Sequence, residues 1–97
     1  MLIRIVRMTF VPEKVGEFLA IFEQSKRQIR AMKGCHHLEL WQDYTLPNVF
    51  VTHSHWEDDN ALNDYRNSEL FRNTWSKTKV LFADKPVAFS SKSSEIV

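Results

Sequence analysis

Residues 35 to 56 read Cys-His-His-Leu-Glu-Leu-Trp-Gln-Asp-Tyr-Thr-Leu-Pro-Asn-Val-Phe-Val-Thr-His-Ser-His-Trp. Both ends of this stretch, 35 to 44 and 49 to 56, are rich in aromatic, aliphatic and β-branched residues, the composition of strands. Between them, Thr45-Leu46-Pro47-Asn48 carries turn-forming residues. Two strands joined by so short a loop pair as an antiparallel hairpin. A turn about Leu46 and Pro47 sets His55 opposite Leu38 and His53 opposite Leu40.

A long amphipathic segment precedes the hairpin. Pro12 suits a first helical position, and Glu13 favours the positive end of the helix dipole. From there Val15, Phe18, Leu19, Phe22, Ile29 and Met32 fall at helical spacings on one face, with Lys14, Glu17, Lys26 and Arg30 on the other. Gly34 makes a left-handed stop. Before that helix, residues 2 to 11 read as a strand. Leu2, Val6, Met8 and Phe10 lie on one side with Arg4, and Ile3, Ile5 and Thr9 lie on the other with Arg7. Both sides are largely apolar, so both need covering, and one layer of helices covers only one. A second subunit's sheet is the simplest cover for the other.

After the hairpin, Asp58 can cap a helix carrying Leu62 and Tyr65. Ser68 can cap another carrying Phe71, Trp75 and Phe82, and Pro86 ends the helical region. Val87 to Ser91 form a short last strand. The resulting order is β-α-β-β-α(α)-β, the split pattern of an α+β ferredoxin-like domain with an antiparallel sheet.

The chain has 97 residues, enough for one domain, with a core over about 2–90 and a polar tail at 91–97. Thirteen basic residues against twelve acidic ones give a net charge of +1, which leaves no electrostatic footprint for nucleic acid or an anionic membrane. No apolar run reaches the ~18 residues of a membrane span. The start, Met1-Leu2-Ile3-Arg4-Ile5, does not resemble a signal peptide. The single cysteine, Cys35, cannot form an internal disulfide and suits a reducing compartment, so the expected location is cytoplasmic. With only Gly16 and Gly34, the chain has no glycine-rich phosphate loop or dinucleotide fingerprint. Aromatic residues are 12% of the chain, and so many must be buried in a core, a pocket or an interface.

Gly34-Cys35, the turn with Pro47, Phe50, Trp56, Ala61-Leu62, Ser68 and Phe71 fall in the order and spacing of the antibiotic biosynthesis monooxygenase family, which this chain resembles over about residues 2 to 90. The resemblance implies a dimeric α/β barrel, a homodimer whose two sheets pack face to face. Its functional subgroups differ at the site. Haem-degrading members carry an Asn, a Trp and a haem-ligating His where this chain has Val6, Tyr65 and Trp75. An indole cannot serve as the iron ligand. Polyketide oxygenases match at Trp56, but their Asn falls on Thr52 and their Tyr on Leu62. Isomerases of a phosphorylated sugar have a Glu, two His and a Tyr where Ser54, Tyr65, Leu70 and Phe71 stand.

The resemblance and strand parity together imply a pocket under the helices made of Arg4, Val6, Met8, Thr52, Ser54, Trp56, Leu62, Tyr65, Phe71 and Trp75. Tyr65, Thr52 and Trp56 are the expected catalytic residues: Tyr65 as donor or proton shuttle, Thr52 as anchor for an oxygen, Trp56 as stacking surface. Arg4 would stabilise an anion. The other six would bind substrate. The expected function is a cofactor-independent monooxygenase of a small aromatic or quinol, with no cofactor and no metal. The alternatives are a non-catalytic dimer binding a small apolar ligand, and an isomerase of a small phosphorylated sugar. Plain core packing competes with function at Trp56, Phe71 and Trp75.

His53 and His55 share one strand face, turned away from that pocket, and His36 can join them across the hairpin, with His37 nearby. Three imidazoles can hold zinc, copper or iron. No carboxylate-plus-histidine signature accompanies them, and strand parity turns them toward the expected dimer interface, so the expectation is interface histidines that make dimerisation sensitive to mild acid. Cys35, with no base or second cysteine beside it, reads as a buried thiol.

Overall fold

The computed structural model describes residues 1–97. Its elements are β1 (Leu2–Thr9), α1 (Val15–Arg30), β2 (Cys35–Gln42), β3 (Val49–Trp56), α2 (Asp59–Arg66), α3 (Glu69–Lys79) and β4 (Val87–Ser91), with a 3-10 turn at Pro12–Lys14 leading into α1. The four strands form one antiparallel sheet in the order β2-β3-β1-β4. This is the ferredoxin-like α+β arrangement. No helix is long and apolar enough to cross a membrane.

The α1 stripe buries Phe18, Ser25 and Ile29 against the sheet. Leu19 was expected on that stripe but is 41% exposed, because the buried spacing runs through 18, 22, 25 and 29 and leaves 19 at its margin. Buried Ser25 is satisfied by donating its hydroxyl to the Ile21 carbonyl at 2.9 Å. After α1 the chain reverses at Gly34, whose φ of +83° favours glycine. A Cβ at Gly34 would lie 2.5 Å from Cβ of Ala61, so the position also lets α2 approach β2 closely.

The helix caps follow the sequence. Asp58 accepts from the Ala61 amide at 2.9 Å, and Ser68 accepts from the Phe71 amide at 3.1 Å. The end of α3 does not follow it. The helix stops at Lys79, well before Pro86, and Phe82 is not helical. Burial of Leu81 turns the chain inward, and Phe82 bridges Phe10 beyond the end of β1. Backbone bonds from Val11 to the Leu81 carbonyl and from Ala83 to the Thr9 carbonyl fix that extended segment.

The β2-β3 register also departs from the expected one. The partners are His37↔His55, Glu39↔His53 and Trp41↔Val51. Asp43 accounts for the shift: one carboxylate oxygen accepts from the Thr45 and Leu46 amides and the Thr45 hydroxyl at 2.9 to 3.2 Å. That Asx turn closes the loop on the Asp43 amide bond to the Val49 carbonyl, half a residue before the expected pivot. A one-residue change of pairing turns every β2 side chain over. Leu38 and Leu40 therefore face the helices, and His37, Glu39 and Trp41 join His53 and His55 on the opposite face. A bulge between Cys35 and His37 takes His36 out of the ladder.

The helices cover one face of the sheet with two core clusters. Met8, Phe10, Phe18, Phe50 and Leu81 form one, and Cys35, Trp56 and Leu62 form the other. On the uncovered face, Trp41, Val87 and Phe89 are each about half exposed.

Candidate functional site

Between the two core clusters the side chains do not meet, and a cavity of about 100 Å³ remains. Its floor is the sheet: Val6 and Met8 from β1, Leu38 from β2, Thr52 and Ser54 from β3. Alternation along β3 brings Thr52 and Ser54 to the helix side together with Phe50 and Trp56. The roof comes from Phe18, Ile21, Phe22, Ser25 and Ile29 of α1, Tyr65 of α2, and Phe71, Thr74, Trp75 and Thr78 of α3. Ten of the fifteen lining residues are hydrophobic, the balance of a site for an apolar ligand held by a few polar groups.

Seven of the ten residues expected at the pocket line this cavity: Val6, Met8, Thr52, Ser54, Tyr65, Phe71 and Trp75. The other three stand apart from it. Trp56 is 1% exposed and lies behind Tyr65, with the rings stacked at 4.9 Å and 17°. Its indole donates to the Ser54 hydroxyl at 2.9 Å. Trp56 therefore orients two lining residues without touching the space itself. Leu62 packs in the cluster of Cys35 and Trp56. Arg4 donates to the Ser90 hydroxyl at 3.1 Å, near the sheet edge. Burial first, and then the neighbouring Arg66 guanidinium, pushes the Arg4 pKa down. An anion stabiliser in the cavity is missing as a result.

The α1 contribution was not foreseen. Phe18, Phe22 and Ile29 line the cavity from the stripe that sequence periodicity outlined, together with Ile21 and Ser25, which it left out. The available signal was Ser25, a polar residue inside an apolar stripe. Leu38 was missed because the expected register turned it the other way.

An aromatic series runs along the roof. Tyr65 meets Phe71 edge-on at 5.2 Å, Phe71 stacks on Trp75 at 5.8 Å, and Trp75 meets Phe82 edge-on at 5.5 Å. Such contacts hold ring positions more firmly than aliphatic packing does.

The polar groups divide into two kinds. The hydroxyls of Ser25, Thr74 and Thr78 donate to helix carbonyls at 2.8 to 2.9 Å. The hydroxyls of Tyr65 and Thr52 make no bond to another protein group, and no fully buried side-chain polar atom goes unsatisfied. Tyr65 and Thr52 are thus available to a ligand. Burial, and secondarily the nearby Cys35, raises the Tyr65 pKa well above the ordinary phenol range. Tyr65 is held as a neutral donor rather than a base. No histidine, carboxylate, lysine or thiol lines the cavity, so its donor set suits neither a metal ion nor haem. Cys35 itself is buried, and burial raises its pKa, which keeps it a thiol.

The sequence model described as antibiotic biosynthesis monooxygenase matches residues 1–76. Among curated proteins none matches. Solved structures do. The crystal structure of an antibiotic biosynthesis monooxygenase superposes with a TM-score of 0.92 at 20% identity, covering 98% of this chain and 100% of that one. A conserved protein of Methanosarcina mazei gives 0.89 at 19% identity, with 95% and 92% covered. PA3566 of Pseudomonas aeruginosa gives 0.82 at 23% identity, with 93% and 90% covered. These likenesses establish a shared fold along almost the full chain.

Proposed function

Because the chain belongs to the antibiotic biosynthesis monooxygenase family, we propose that it is a cofactor-independent monooxygenase of a single-ring phenol or quinol. The observation that carries this reading is the largely apolar, aromatic cavity in which the Tyr65 and Thr52 hydroxyls have no protein partner. A volume of about 100 Å³ is below that of an apolar cavity of about 150 Å³ that accommodates benzene, so even one ring enters only as lining side chains give way, and several fused rings are too large.

The substrate supplies the electrons. Its phenolate is stabilised by hydrogen bonds from Tyr65 and Thr52, which favour the charged ring over its neutral form. Dioxygen adds at a ring carbon bearing hydrogen. The C–H bond breaks, a carbonyl forms there, the phenol oxygen becomes the second carbonyl, and the other oxygen atom leaves as water. The four electrons that reduce dioxygen come from the ring, so the reaction balances with no added reductant. The largely apolar lining keeps most water from the intermediate radical or peroxide, while the accessible hydroxyl side of the cavity lets the proton leave.

The cavity offers no base, so the substrate proton leaves to solvent. Turnover then follows the substrate's own ionisation, rising with pH until the phenol is fully ionised. Oxygen consumption with a panel of single-ring phenols and quinols tests the reading. Tyr65→Phe is expected to lower kcat by about two orders of magnitude, the usual cost of losing one donor to a developing anion. Trp56→Phe is expected to reduce it less, through Tyr65. Absence of turnover across the panel would sink the proposal.

The missing base also favours a second reading, a binding protein for the same class of ligand. Native mass spectrometry of protein purified without additions separates the two. A retained aromatic molecule that stays chemically unchanged in air supports binding alone. The sugar-phosphate isomerase reading has no support in the cavity, which carries neither an acid–base pair nor a cation.

The working unit in this proposal is a homodimer. The apolar side chains on the uncovered sheet face, Ile3, Ile5, Val51, Trp41, Val87 and Phe89, would be buried by a second copy's sheet.

A further inference from the structure

On the sheet face opposite the cavity, β2 and β3 bring together His37, Glu39 and His53, whose ligating atoms all lie within 4.8 Å of one another. We propose that these three residues form a binding site for a divalent first-row transition metal, with zinc as its natural class of occupant.

The placement comes from the backbone. Glu39 and His53 are direct cross-strand partners, and His37 sits two residues before Glu39 on the same face. His37 Nε2 lies 2.7 Å and His53 Nδ1 3.2 Å from the same Glu39 oxygen. Two imidazoles and a carboxylate at such spacings need only small side-chain rotations to surround an ion at about 2.0–2.2 Å. Two nitrogen donors out of three select zinc or a neighbouring metal over calcium or magnesium, which prefer all-oxygen sites.

Two of the three ligands have a further residue that orients them. Trp41 Nε1 donates to the other Glu39 oxygen at 3.3 Å. His55 Nε2 lies 3.0 Å from His53 Nε2, the nitrogen turned away from Glu39. A metal on His53 Nδ1 leaves Nε2 carrying the proton, and His55 accepts it. Outer partners of this kind are what fix ring tautomer and orientation in metal sites. Protein ligands number three, so a fourth position faces away from the sheet, toward the surface that a second copy would cover in the proposed homodimer.

Tag-free protein stripped with chelator, then titrated with zinc in competition with a chromophoric chelator, tests the site. Cobalt substitution reports the ligand field by its visible absorption. One equivalent of metal per chain is expected. Glu39→Gln and His37→Ala should each weaken binding at least tenfold, and Trp41→Phe by a similar factor through the carboxylate. His36→Ala, at the bulge outside the cluster, should change nothing. His37 and Glu39 are partly exposed, so their variants keep the fold, and circular dichroism verifies that. Failure to bind zinc stoichiometrically, or binding that His37→Ala and Glu39→Gln leave untouched, would overturn the proposal. The site shares no residue with the cavity, so its failure leaves the oxygenase reading standing.

Discussion

Tyr65 couples two properties that a substitution can separate. Its ring is fixed between Trp56 and Phe71, while its hydroxyl bonds to no protein group. Tyr65→Phe therefore keeps the packing and removes only the donor. Thermal denaturation should show stability unchanged within about 0.5 kcal/mol, alongside the hundredfold loss of turnover. A large loss of stability would mean that the hydroxyl has a structural partner. Among the residues, the sequence was informative where strand alternation alone decides: Val6, Met8, Thr52 and Ser54 all face the cavity. It was less so where a side chain could serve as support instead of surface. Trp56 shares the parity of Thr52, yet its size carries it under α2, where it backs Tyr65. No spacing rule distinguishes those two roles.

At the scale of elements, the hairpin shows how one polar side chain redirects a whole strand. Asp43 sets the turn, and the turn sets which β2 residues face the helices. The sequence held a second route to that register, because burying Leu38 and Leu40 demands it. The turn residues Leu46 and Pro47 outweighed it and gave the wrong pivot. The Asp43 carboxylate is held below its ordinary value by the Leu46 and Thr45 amides. A lowered folded-state pKa stabilises the native chain above the unfolded pKa, and that stabilisation fades as pH falls below about 3.8. Asp43→Asn should flatten the acid limb of a denaturation series. Wild type and variant should converge as the pH drops, while a constant offset between them would exclude the carboxylate as the cause. The α3 terminus gives a similar lesson. Phe82 continued a helical spacing, but the ladder to Phe10 and the burial of Leu81 prevailed over that periodicity.

On the scale of the molecule, the helices cover one side of the sheet, and the doubly apolar first strand calls for a second cover on the other. The edge strand β4 carries Phe89, 48% exposed and paired with Ile5, on the open face. Phe89→Asp places a charge where a second sheet would pack. Sedimentation velocity should then show wild-type dimers and variant monomers with unchanged circular dichroism; a monomeric wild type would remove the proposed interface. The two functional features lie on opposite sides of this sheet, the cavity beneath the helices and the histidine cluster on the open face. The fold was legible because element order and amphipathic stripes determine it. The histidine cluster was only half legible, because its carboxylate depends on register.

Isotope labelling under ¹⁸O₂ tests the central claim most directly. With a single-ring phenol, the monooxygenase mechanism predicts one labelled oxygen atom in each quinone and one in water, in amounts that fall together in Tyr65→Phe. Quinone carrying no label, with the oxygen recovered as hydrogen peroxide, would contradict it.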